Sequence, residues 1–296
     1  MIKKKVFVTG AYGLLGTILC KKLDTKGYKV FRHGKAQSRQ ENFNLDNYSA
    51  VKKRLDKIKP NFIINLVALT DVNECENNLS KAIKLNVKFL TNFNKYELEK
   101  KYKSKFIHIS TDQVYSGKGP HIEEKVNPIN NYGLTKILGE IAISDCNPLI
   151  LRTNFIGKSK NQKRRSLTDW FVKNVIEKKK TLLYTNVYFN PLEINYLSAI
   201  ILKIMTTKKT GIYNLGAKKG ISKEKLLSQI GKFLNLDLKK CKKIKFSRKK
   251  KIAKRPNDMI MNCSKFEKTF QLKLPSIQDQ ISRICQDYKK EFIYDN

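Results

Sequence analysis

Through the first half of the chain, short apolar runs alternate with amphipathic stretches of helix length. The runs that read as strands are residues 5–9, 28–31, 62–66, 106–110 and 149–153. Between them lie residues 13–26, 48–57, 81–96 and 132–144, helix-length amphipathic stretches with the spacing of one helical face. Strict alternation of strand and helix implies an α/β fold with a Rossmann-type, doubly wound parallel sheet. After residue 153 the pattern loosens. Residues 166–179, 193–205 and 223–234 read as helices, 182–187 and 211–215 as strands, and 238–255 as a basic, irregular stretch. The expected organisation is a sheet domain over residues 1–153 and a smaller C-terminal mixed α/β lobe over 154–296, lying over the sheet's carboxyl edge, with segments free to interleave.

Composition narrows the function classes. The chain has 296 residues, 41% of them hydrophobic, enough for a sizeable core and against disorder. A net charge of +36 invites a nucleic-acid reading. The lysines are spread along the whole chain, however, so a solvated basic surface is the better reading and no specific nucleic-acid partner is expected. Six scattered cysteines with no Cys-x-x-Cys pair give no metal or disulfide framework. The best apolar run, residues 196–205, contains Lys203 and is too short to span a bilayer. The chain opens directly into its first strand, which leaves no room for a signal peptide. A cytoplasmic protein without membrane insertion is expected.

The first strand feeds TGAYGLLG, with Gly10, Gly13 and Gly16 three apart and a helix beginning there. Small residues let the backbone turn tightly and approach a pyrophosphate, which then sits on the helix N-terminus. An NAD-binding chain would place an acidic residue at the end of the second strand. This chain has Arg32, His33 and Lys35, cations suited to a 2′-phosphate, so NADPH is expected, with NADH as the alternative.

Tyr132 and Lys136 lie four apart at the start of a helix, in NNYGLTKILGE, and so share one face. An ammonium beside a phenol lowers its pKa, and a phenol so tuned can protonate a carbonyl oxygen as hydride reaches its carbon. Thr111 ends the preceding strand in HISTDQVYSG, where its hydroxyl could hold the same oxygen. His108 alternates with Ile107 and Ile109 and reads as a strand residue with a bonded imidazole.

With these motifs in order, the chain resembles the dTDP-4-dehydrorhamnose reductase family of extended short-chain dehydrogenase/reductases over nearly its whole length. The resemblance is carried by TGAYGLLG, by NLVALTDVNECE from Asn65, and by STDQVYSGKGPHIEEKVNPINNYGLTKILGE from Ser110 to Glu140. GIYNLG from Gly211 and RPNDMIMNCSKFEKTF from Arg255 extend it through the lobe. It implies reduction of a 4-keto group on a nucleotide-linked deoxy sugar, in surface polysaccharide synthesis, with Thr111, Tyr132 and Lys136 as the catalytic triad. It also implies an adenine contact at Asp46 and a cofactor-lining strand that includes Ala68. The full expected cofactor set is Gly10, Tyr12, Gly13, Leu14, Leu15, Arg32, Asp46, Leu66, Ala68, Tyr132 and Lys136. The chain departs where the family usually reads Arg-Thr-Ser-Trp, having Arg152, Thr153, Asn154 and Phe155, and its Gly-x-Pro-Thr segment reads FNPLEIN with Pro191 alone in place. These positions border the sugar, so the resemblance implies the chemistry more firmly than the substrate.

Asn154, Trp170 and Arg255 are the expected substrate contacts. Trp170 could stack on the base, although core packing is its ordinary role. Arg255 and Arg152 could grip the diphosphate by bidentate bonds. His121 is expected in a solvated loop, and no metal is expected. A homodimer is the oligomer to consider. Competing functions are another sugar-nucleotide reductase, an epimerase or dehydratase, and a non-catalytic, cofactor-binding regulatory subunit. A dehydratase would place Asp-Glu after the strand-end threonine; here Asp112 is followed by Gln113, which favours a reductase.

Overall fold

The computed structural model describes residues 3–34, 43–100, 103–160, 165–247 and 252–294, with side chains described to residue 290. Its first half runs β1 (Lys5–Thr9), α1 (Leu14–Thr25), β2 (Lys29–His33), α2 (Tyr48–Ile58), β3 (Phe62–Asn65), α3 (Val72–Asn77), α4 (Leu79–Ile83), α5 (Phe89–Glu99), β4 (Lys105–Thr111), α6 (Asn131–Ala142) and β5 (Leu149–Thr153). The second half supplies β6 (Phe155–Ile156), α7 (Leu167–Ile176), β7 (Thr181–Tyr184), β8 (Tyr188–Phe189), β9 (Leu192–Glu193), α8 (Ile194–Ile204), β10 (Gly211–Leu215), β11 (Ile221–Ser222), α9 (Lys223–Phe233), β12 (Cys241–Ile244), α10 (Ser264–Phe270) and α11 (Ile277–Tyr294).

The central sheet has six parallel strands in the order β10-β5-β4-β3-β1-β2. Its strands are buried on both faces because helices cover both, which is why they read as apolar runs. Val6 and Val8 enter one core cluster with Leu15, Leu19 and Leu23 of α1. Phe7, between them, points to the other face and packs with Val51 and Leu55 of α2 and Phe93 of α5. From β1 the chain goes outward to β2, then crosses back to β3 on the other side. The strand order therefore reverses between β1 and β3, and the crevice beyond their carboxyl ends is where an open α/β sheet binds ligands.

One expected element is interrupted. The helix anticipated over residues 81–96 is α4, a π-helical turn at Lys84–Lys88, and then α5. Asn86 in that turn is buried, and its amide exchanges bonds with the main chain of Leu69, at 2.7 Å to the N–H and 3.2 Å to the carbonyl. It also donates to the Thr135 hydroxyl at 3.0 Å. The extra residue in the turn thus aims one side chain at both the segment after β3 and helix α6.

The stretch 238–255, expected to be irregular, contains β12, which pairs with β7 in parallel. Helix α11 was not anticipated, although Ile277, Ile281, Ile284, Cys285 and Tyr288 form a buried stripe at helical spacing. Strand β10 comes from the second half of the chain yet completes the main sheet beside β5. A division near residue 153 with interleaved segments therefore stays our proposal for the domains. Among the described residues, no helix is long and apolar enough to cross a membrane.

Candidate active site

The glycine loop sits at the point where strand order reverses. Gly10 has φ +68°, and a Cβ there would lie 2.9 Å from the carbonyl carbon of Leu66 at the end of β3. A Cβ on Gly16 would lie 2.2 Å from the Gly10 oxygen. A side chain at either position would force the loop off the β3 end or off its own first turn. Gly13 caps α1 without a side-chain hydrogen bond, and the first turn carries no acidic residue. The leading N–H groups of α1 therefore lack a side-chain acceptor among the described residues, a cradle that fits the pyrophosphate of a dinucleotide. Leu15 is buried in the core, so of the two expected loop leucines it can offer the site only its main chain. Tyr12 is partly buried beside Gly34. Leu66 donates its N–H to the Thr9 carbonyl at 3.2 Å, which keeps it and Ala68 at the mouth of the same crevice.

The residues expected to read the 2′-phosphate divide. Arg32, next to last in β2, is partly exposed and ion-paired with Asp24. His33 is turned inward: its Nε2 meets the Phe43 carbonyl at 2.8 Å, and its ring packs on Phe43 and Phe7. Its expected role as a phosphate cation is corrected accordingly, because a ring buried among aromatics does not present charge to the crevice. Lys35 lies outside the described residues. Asp46, the expected adenine contact, lies just before α2 and is paired with Lys84 at 2.9 Å.

Thr111, Tyr132 and Lys136 come together at the carboxyl end of β4. Asn130 caps α6 by accepting from the Gly133 N–H at 2.8 Å and donates to the Lys254 carbonyl at 2.9 Å, which fixes the first turn that carries Tyr132. Tyr132 is buried beside the Thr111 hydroxyl, which accepts from the Gln113 N–H at 3.2 Å. Burial pushes the phenol above its ordinary pKa, against the help of the nearby Thr111 hydroxyl. The expected lowering by Lys136 is not seen, because the Lys136 amine is turned to β4. It donates to the Ile109 carbonyl at 2.9 Å and lies 3.2 Å from His108 Nε2. His108 Nδ1 meets the Asn65 amide nitrogen at 2.8 Å, and Asn65 Oδ1 meets the Thr9 hydroxyl at 2.5 Å. A row of buried polar side chains thus crosses the ends of β4, β3 and β1. Sequence reading kept His108 as a bonded strand residue and did not single out Asn65; its place at the end of an all-apolar strand was the available signal.

On the substrate side, Asn154 donates to the Asp112 carboxylate at 2.7 Å, next to Thr111. Arg255 bonds Asn73 Oδ1 at 3.2 Å and lines a cavity of 470 Å³ with Ser116, Ile129, Phe246, Lys254 and Asn257. Trp170 is 39% exposed on α7, so it is not a core residue and keeps a face free for a ligand. Arg152, considered as a diphosphate grip, is instead buried; Glu140 binds it through both carboxylate oxygens, and it donates to the Glu123 carbonyl at 2.6 Å. His121 is not solvated: it is buried, stacks on Tyr115 and meets the Asp258 carbonyl at 2.9 Å.

Asp112 carries a measurable consequence. Burial raises its pKa to about 6, opposed by the Asn154 bond and by the Lys223 charge. A carboxyl whose folded pKa exceeds its unfolded value binds more protons in the native state, so its contribution is full at low pH and is lost as pH rises. Relative to Asp112→Asn, the parent should lose about 2 kcal/mol of stability between pH 4 and pH 7. Urea unfolding of both proteins at the two pH values checks this; parallel curves would show that the carboxyl ionises freely.

Comparison with known proteins adds the family. The model of the RmlD substrate binding domain matches residues 4–290. The chain is 24% identical over 292 residues to a probable low-salt glycan biosynthesis reductase, Agl14, of Haloferax volcanii, covering 94% of this chain and 96% of that one. A hypothetical dTDP-4-dehydrorhamnose reductase from Sulfolobus tokodaii is similar in structure at TM-score 0.80 and 30% identity, over 92% of this chain and 97% of that one. A dTDP-4-dehydrorhamnose reductase from Bacillus anthracis, solved in complex with NADP, aligns at TM-score 0.85 and 22% identity over 97% and 99% of the two chains.

Proposed function

The chain belongs to the RmlD substrate binding domain family, and from that premise we propose that it is an NADPH-dependent reductase of the 4-keto group of a nucleotide-linked deoxy sugar, serving glycan synthesis. The observation that carries this reading is the convergence of Thr111, Tyr132 and Lys136 at the end of β4, in the same sheet whose β1 feeds the glycine loop.

When bound on the α1 N-terminus, the nicotinamide cofactor supplies hydride. Tyr132 holds a proton on its phenolic oxygen for the substrate carbonyl oxygen. Thr111 presents its hydroxyl to the same oxygen, and Lys136 holds the ribose side of the cofactor. Asn154, Trp170 and Arg255 border the sugar and its nucleotide, with the cavity around Arg255 as the place for the nucleotide end. Consumption of NADPH against a panel of 4-keto-6-deoxy sugar nucleotides, differing in base and sugar, tests the reading. Turnover of one of them bears it out. Tight NADPH binding with no turnover of any would put a regulatory subunit in its place.

Arg32 supports the cofactor preference. Its pair with Asp24 lies at the surface, where an ion pair is worth roughly 0–1 kcal/mol, so a 2′-phosphate can compete for the guanidinium. NADPH should bind about tenfold tighter than NADH, and Arg32→Ala should erase most of that difference. Titration of both dinucleotides reads it directly; a preference for NADH in the parent would overturn it.

A further inference from the structure

The row of buried groups beneath Lys136 has a defined direction. The Asn65 amide cannot be turned around. Its Oδ1 accepts from the Val67 N–H at 3.3 Å as well as meeting the Thr9 hydroxyl, and a flipped amide would set its own donors against that N–H. The Asn65 nitrogen therefore donates to His108 Nδ1, which must be a bare acceptor. His108 is 1% exposed, and burial alone holds it far below its ordinary pKa, so the ring is neutral. A neutral imidazole with a bare Nδ1 carries its proton on Nε2. That N–H points at the Lys136 amine, 3.2 Å away. An ammonium has three donors and no acceptor and would meet Nε2–H donor to donor. The neutral amine has a lone pair to receive it, and two N–H groups left, one of them given to the Ile109 carbonyl.

We propose that His108 is a positioning residue: its Nε2–H, fixed by Asn65, favours the neutral form of the Lys136 amine in the cofactor-free protein, and wherever that amine is neutral, loading of the dinucleotide draws a proton from solvent onto it. The amine takes up the proton, becomes the ammonium, loses its acceptor role toward His108, and turns to the ribose hydroxyls. The ionisable groups facing Lys136 allow this. Tyr132 stands one turn back on α6 and burial keeps it protonated. Glu140 stands one turn on and favours the ammonium, but its carboxylate is already bound by Arg152 of β5 and Ser110 of β4. Burial outweighs it and brings the lysine down to about 8, within reach of a modest change in partners. The proposal rests on the NADPH reading for its second half only; the tautomer of His108 does not depend on it.

Two measurements test it. The first is nitrogen NMR of the histidine-labelled, cofactor-free protein, whose three histidines are separated by comparison with His108→Leu. His108 should show a protonated Nε2 and a bare Nδ1 from pH 6 to 9; a protonated Nδ1 overturns the proposal, and the parent alone suffices if the variant does not fold. The second is NADPH affinity against pH. In the parent it should hold up to near pH 8 and then weaken about tenfold per pH unit. In His108→Leu the amine loses the donor that favoured its neutral form, so the break should move to higher pH. A break that stays put or moves to lower pH would mean that Nε2 accepts from an ammonium, and would sink the idea. Failure of the parent to bind NADPH at any pH would count against the proposed function and against proton uptake, leaving the tautomer to the NMR.

Discussion

Tyr132→Phe should lower kcat by about 10²–10⁴-fold while NADPH affinity stays unchanged. The phenol is buried, so phenylalanine fills nearly the same volume and the substitution removes little besides the hydroxyl. The Thr111 hydroxyl keeps its bond from the Gln113 N–H, so the end of β4 should stay in place. Burial raises the phenol's pKa, which keeps it protonated through neutral pH, the form in which it can donate to a carbonyl oxygen. The expected loss corresponds to about 3–5 kcal/mol of barrier, all of it in the chemical step. Steady-state rates on a turned-over keto sugar, beside a cofactor titration, separate the two quantities. Reduction at the parent rate by the variant would remove Tyr132 from the mechanism.

The second large effect concerns stability. Arg152 and Glu140 are nearly fully buried, 3% exposed each, and join β5 to α6 beneath the catalytic helix. Arg152 also donates to the Tyr115 hydroxyl at 2.9 Å, which in turn donates to Asn214 of β10 at 2.7 Å. Arg152→Ala leaves a carboxylate in the interior with, among the described residues, only the Ser110 hydroxyl bonded to it. Breaking such a pair from one side costs about 3–5 kcal/mol, because the remaining charge is buried without compensation. Replacing both partners, Arg152→Met with Glu140→Leu, removes that penalty and should recover much of the loss. Urea denaturation of the single and double variants decides the matter. A single variant within about 1 kcal/mol of the parent would show that water reaches Glu140.

Much of the sheet domain was legible because its strands are buried on both sides and its helices on one, so their periods differ plainly. The expected bounds of the first-half strands fall within two residues of those observed. The glycine loop and the Tyr132–Lys136 spacing were legible for a different reason: each is a local pattern that the backbone must satisfy by itself. What failed was whatever depends on the partner across space. Arg152 looks like a ligand for anions until Glu140, from another element, is brought against it. His33 looks like a surface cation until Phe43 and Phe7 enclose it. The break in the helix over residues 81–96 depends on Asn86 finding Leu69 and Thr135, which no spacing announces. Strand β12 was hidden because Lys242 and Lys243 are exposed on a strand of a two-stranded pair, where charge is tolerated and apolar alternation is not needed. Helix α11 is an omission that the sequence could have prevented, since its apolar stripe is regular.

Strand β10 sets an order of events. It lies last in the sheet, against β5, and five residues of main chain pair across that boundary. Until residues 211–215 have left the ribosome, β5 is an exposed edge with open hydrogen-bonding groups, and the side chain that reaches Tyr115 from Asn214 has not been made. The dinucleotide crevice between β1 and β3 needs only the first 70 residues or so of chain, whereas the sheet that holds it rigid needs nearly three-quarters of the protein. During synthesis, therefore, the nascent chain carries its binding loop long before it carries a closed sheet, and it must keep one sticky edge covered for the length of the intervening lobe.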